Sequence, residues 1–188
     1  MKTLVIECSS GNGSVAVLEG GQLVQERVFN NPRGRGGELF SVLEAIVRAH
    51  TDFTRVLVGT GPGSYNALRA SIAAAWGIAR ARGIPLHGIC SLLGYSPTDY
   101  DVIGDARAGQ WFLGRIRGGS LAKPVELLRA QEVRELIDGS IPVFSTSDLL
   151  VSATTQYPAA ASLALRLDQS GPAEPLYLKP PHITTPTK

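Results

Sequence analysis

The chain has 188 residues, 44% of them hydrophobic, and a formal net charge of +2, a length that suits one domain or two small lobes. No apolar run reaches the ~18 residues of a membrane-spanning helix, and the opening MKTLVIECSSG is too poor in apolar residues for a signal-peptide core. A cytoplasmic protein is expected, and scattered arginines, with no basic stripe, leave any RNA contact to be shared with a partner.

Lys2 to Glu7 reads as a buried strand, and Ser14 to Leu18 followed by Leu23 to Phe29 reads as a hairpin around Gly20-Gly21. Between Gly37 and His50 the apolar residues Leu39, Val42, Leu43, Ile46 and Val47 recur at helical spacing. Arg55 to Gly59 is a short strand, Ser64 to Arg82 a second helix stopped by Gly83 ahead of Pro85, and Leu86 to Cys90 a further strand. Tyr100 to Gly104 and Gln110 to Arg117 again read as strands, Ala130 to Ile137 as a helix ending at Gly139, Ile141 to Ser145 as a strand and Ala159 to Leu167 as a last helix.

The two halves share an order. VIECSSGNGSVAV and VIGDARAGQWFLG each carry an apolar run ending in a carboxylate, Glu7 or Asp105, then a glycine-containing turn and a new strand. Such a pair of carboxylates can hold a magnesium ion that bridges to phosphates, although the longer Glu7 side chain displaces an ion that a short carboxylate would hold. Ser9, Ser10, Gly11, Asn12 and Gly13 can offer hydroxyls and N–H groups to a phosphate or form a hairpin turn; the lack of a following lysine and helix favours the turn. Gly59-Thr60-Gly61-Pro62-Gly63-Ser64 combines glycines free to take positive φ, a proline of fixed φ and a serine suited to cap the next helix. No histidine base lies near Ser64, which argues against a hydrolase. Cys8 and Cys90 read as buried thiols. His50, His87 and His182 are too dispersed for a metal site.

The helix from Ser64 is small or apolar nearly all round. Leu68, Ile72, Ala75, Trp76 and Ala79 form one stripe, with Ala70, Ala73, Ala74 and Gly77 elsewhere. A surface helix needs a polar face, so this one should be covered by its own sheet and by a partner, or wholly by its own core.

The paired halves resemble actin-like and sugar-kinase-like proteins (the ASKHA, RNase H-like group), which implies an α/β fold of two lobes, residues 1–95 and a shortened 96–188. Five ordered segments resemble the TsaB (YeaZ) family: Ile6-Glu7-Cys8-Ser9, Pro32-Arg33-Gly34-Arg35, GPGSYNALR from Gly61 to Arg69, Gly104 to Phe112, and Ala173 to Lys179. The chain departs from that pattern at Glu7, Arg35 and Tyr65-Asn66-Ala67. The resemblance implies an accessory subunit without catalytic residues, metal or cofactor, which binds TsaD and supports threonylcarbamoyl transfer to the adenine beside the tRNA anticodon. It further implies that TsaE joins the complex, that tRNA is met indirectly, and that the chain alone forms a homodimer. Arg33, Arg35, Leu39, Tyr65, Arg69, Ile72, Ala73 and Trp76 are the expected partner face, and Glu7, Ser9, Ser10 and Asp105 a degenerate nucleotide cleft. The alternative is a stand-alone ATPase or small-metabolite kinase using Glu7 and Asp105.

Overall fold

The computed structural model describes residues 1–31, 37–137, 139–147, 149 and 152–179. Five strands form the first sheet: β1 (Lys2–Glu7), β2 (Asn12–Glu19), β3 (Gln22–Asn30), β4 (Arg55–Gly59) and β5 (Leu86–Ile89), in the order β3-β2-β1-β4-β5. Strand β2 runs antiparallel to both β1 and β3, while β4 and β5 join in parallel across helical crossovers. Period-2 side-chain alternation divides these strands between two cores. Leu4, Ile6, Val15, Val17, Val56 and Val58 face helices α1 (Gly37–Ala49) and α2 (Tyr65–Arg82), while Val5, Ala16, Leu18 and Leu57 face the other way.

That second face meets the other sheet. β6 (Tyr100–Asp105), β7 (Gln110–Arg117), β8 (Ser120–Leu121), β9 (Glu126–Arg129), β10 (Val143–Ser145) and β11 (Thr154–Thr155) follow the order β11-β10-β6-β7-β8, with β9 also on β7. Tyr100, Val102, Phe112, Ile116 and Phe144 pack with Val5, Leu57 and Ile89 in one shared core, each large side chain contributing about 2 kcal/mol of burial. Helix α3 (Ala130–Leu136) covers the outer face, where Val133 meets Ile103, Trp111 and Leu113. The architecture is the expected two-lobe α/β fold, one sheet of five strands and one of six, with helices on their outer faces.

Three details differ from expectation. Strands β8, β9 and β11 lie in stretches of short or weak apolar pattern and take their pairing from β7 and β10. The last helix, expected over 159–167, is confined to α4 (Ala160–Ala164), with a 3-10 turn at Leu167–Gln169. It packs on the first sheet, where Ala160 N–H donates to Ser14 Oγ (2.7 Å) and Ala161 N–H to Glu26 Oε1 (3.1 Å). Ser64 occupies the position before α2 without a side-chain capping bond; its N–H donates to Ser9 O at 2.8 Å instead.

Candidate functional site

Glu7 ends β1 and is fully buried. Its Oε1 accepts the Ser9 N–H at 2.6 Å and its Oε2 accepts the Ser91 hydroxyl at 2.7 Å, while Ser91 Oγ accepts the Gly61 N–H at 2.9 Å. Burial pushes its carboxyl above the ordinary range, and the bonds from Ser9 and Ser91 pull the other way. The carboxyl sits against Gly59 on the next strand, where any Cβ would collide with Glu7 Oε2 and lie 2.8 Å from Ser91 Oγ. Glu7 therefore ties β1, the β4–α2 loop and the turn after β5 together.

The loop after β1 is likewise held from within. Ser10 Oγ donates to Asn12 O at 2.8 Å, and the Asn31 amide donates to Cys8 O and Ser10 O at 3.3 and 3.1 Å. Asn31 was not singled out by sequence reasoning, because its partners lie more than 20 residues away. The GPGS loop presses on the same turn, and a Cβ at Gly63 would collide with Ser9 O. Ser9 and Ser10 are buried. Asp105, at the end of β6, is exposed; it accepts the Arg107 N–H at 2.7 Å and pairs with the Arg107 guanidinium at 3.2 Å. Of the four residues expected to form a degenerate nucleotide cleft, the structure buries Glu7, Ser9 and Ser10 and leaves Asp105 exposed. Three of the four are buried and bonded to their own chain, because desolvating a carboxylate demands hydrogen-bond partners close by. Among the described residues no group of three or more His, Cys, Asp or Glu could hold a metal ion.

Free Cys8 is buried and free Cys90 half-buried, its Sγ donating to Gly61 O at 3.4 Å; burial pushes the Cys90 thiol up to about 11. No helix among the described residues is long and apolar enough to cross a membrane.

The expected partner face is split by the structure. Tyr65, Arg69, Ala73 and Trp76 share the exposed side of α2, with Trp76 56% and Tyr65 39% exposed. Leu39 and Ile72 are buried in the core under the two helices, which corrects their assignment to that face. Of the stripe read from the sequence, Leu68, Ile72, Ala75 and Ala79 are buried and Trp76 alone is exposed. Arg33 and Arg35 lie outside the described residues. Arg69 Nη1 donates to the Tyr65 hydroxyl at 3.0 Å, and its guanidinium lies 5.2 Å from that ring's centroid. Phe40 on α1, 58% exposed, was overlooked. Its signal was an aromatic residue off the Leu39, Leu43, Ile46 stripe. Beside Trp76 a cavity of about 640 Å³ opens between Arg80, Ile84, Leu86, Pro172 and Glu174.

Comparison with known proteins adds three findings. The family model of TsaD, described as tRNA N6-adenosine threonylcarbamoyltransferase, matches residues 40–114. Uncharacterized proteins of Mycobacterium bovis and Mycobacterium tuberculosis are 31% identical over 169 residues, 83% of this chain and 80% of theirs. The structure of YeaZ from Pseudomonas aeruginosa superposes with a TM-score of 0.74 at 21% identity, covering 94% of this chain and 99% of that one.

Proposed function

We propose that the chain, which belongs to one family with the uncharacterized mycobacterial proteins, is a TsaB (YeaZ)-type subunit, non-catalytic and cytoplasmic, that pairs with TsaD and supports tRNA threonylcarbamoylation, a reading supported by the TsaD family match and the YeaZ-like fold. The reading rests on one observation above the others: α2 turns Tyr65, Arg69, Ala73 and Trp76 outward, an aromatic and arginine surface on a helix with no acidic residue. Tyr, Trp and Arg are the side chains that dominate protein interfaces, since each brings large contact area with a polar handle. The cavity beside Trp76 offers room for a side chain of the partner. Phe40 extends the surface on α1. In the same proposal TsaE joins the pair, tRNA is contacted through the complex, and the exposed helices self-pair when the chain is alone.

The sealed Glu7 carboxyl speaks against the alternative of a self-sufficient ATPase or kinase, because a metal ligand must present its oxygens to the ion. The test is gel filtration of the chain with cognate TsaD. A 1:1 complex is expected, weakened at least tenfold by Arg69→Glu or Trp76→Glu. Comigration unaffected by both variants would overturn the proposed interface, and absence of any complex would overturn the proposed partner.

A further inference from the structure

After α4 the chain joins the edge of the first sheet, passes along the cavity beside Trp76 with Pro172 and Glu174, and reaches the second lobe at Lys179. Gly171 closes the free edge of β5 through a two-way pair with Gly88, each N–H donating to the other's carbonyl at 2.8 Å. Five residues on, Leu176 N–H donates to Thr60 O at 2.8 Å, at the start of the GPGS loop. Tyr177 then stacks on Tyr65 at the head of α2, ring centroids 4.9 Å apart, and Leu178 packs into the core that both sheets share. Finally the Lys179 ammonium donates to Ala106 O at 2.8 Å and Arg107 O at 3.0 Å, in the turn between β6 and β7.

That turn is unusual. Among the described residues Arg107 and Ala108 are the two non-glycine residues with positive φ, at 64° and 54°, and Gly109 follows at 73°. Left-handed backbone is unfavourable for residues carrying a Cβ. It persists where neighbours hold it, and here Asp105 accepts the Arg107 N–H while Lys179 takes the two carbonyls. One segment therefore grips the edge of the first sheet, the loop before α2, and the strained turn of the second lobe.

We infer that residues 171–179 form an intramolecular clasp across the seam between the lobes, with Lys179 as its releasable latch. A single primary ammonium on two carbonyls is a latch that the loss of one charge undoes, whereas the Gly88–Gly171 pair stays as its hinge. Leu176 N–H lies between hinge and latch and reports the clasp directly.

Amide hydrogen exchange on the full chain tests this. In Lys179→Gln the Leu176 amide and the Gln110 amide, which closes the β6–β7 turn on Arg107 O, exchange at least tenfold faster than in the wild type, while Val5 and Ile6 in β1 keep their rates. Lys179→Arg, which can still donate to both carbonyls, restores protection. Unchanged exchange at Leu176 in the glutamine variant would overturn the clasp, as would an equal acceleration in β1, which would mark general loosening rather than an unlatched segment.

Discussion

At the scale of single residues, the fate of Glu7 decides how the chemistry of this fold is read. The carboxyl stands above its ordinary value of 4.5 in the folded chain because burial disfavours its charge. A group that holds its proton more tightly when folded stabilises the fold most at pH below the unfolded value, and that contribution is lost as pH rises through the folded one. Glu7→Gln removes the titration. In urea unfolding, the stability difference between variant and wild type should therefore move in favour of the glutamine as pH rises from about 4.5 upward. A difference independent of pH would show that Glu7 keeps its ordinary pKa. Gly59→Ala forces a methyl group against the same carboxylate, so a loss of roughly 1–3 kcal/mol is expected, read as a lower urea midpoint at unchanged slope.

At the scale of elements, α2 serves two masters. Its inner side, with Leu68, Ile72, Ala75 and Ala79, is core; its outer side bears Tyr65, Arg69 and Trp76. Trp76→Glu should accordingly change unfolding stability by no more than about 0.5 kcal/mol, while TsaD affinity falls at least tenfold. An equally large loss of stability would place Trp76 in the fold rather than the interface. The helix itself was legible in sequence, from the glycine and proline ahead of it to Gly83, whose φ of 63° ends it in the left-handed conformation. The strands were legible too, because short continuous apolar runs such as Leu4-Val5-Ile6 and Val56-Leu57-Val58 need only neighbours to read. What stayed hidden depends on residues distant in the chain. Ser91 lies 84 positions from Glu7, so nothing local announces that the acid is sealed. The exposure of Trp76 was hidden too, because it falls beside the Leu68, Ile72, Ala75 and Ala79 stripe that the sheet takes. Strands β8 and β11 are two residues long, shorter than any period can reveal.

At the scale of the whole molecule, the shared core joins the lobes. Tyr95 and Phe144 stack within it, ring centroids 5.0 Å apart, Tyr100 meets Phe144 edge-on, and Val5, Leu57 and Ile89 of the first sheet complete it. A core drawn from both lobes cannot dissolve for one alone, so unfolding should be a single transition. The two tryptophans of the chain make this measurable, since Trp76 lies on α2 and Trp111 on β7 of the other lobe. In Trp76→Phe and Trp111→Phe, the fluorescence midpoint of the remaining tryptophan should coincide with the far-UV midpoint of the same variant; separate midpoints would show lobes that unfold independently. This common interior also bears on motion. Apolar side chains of both sheets fill the interior between the lobes, so the two halves are packed on each other rather than set about a gap. The chain is in that respect a one-piece strut: in the pairing proposed with TsaD, any rearrangement would fall to TsaD.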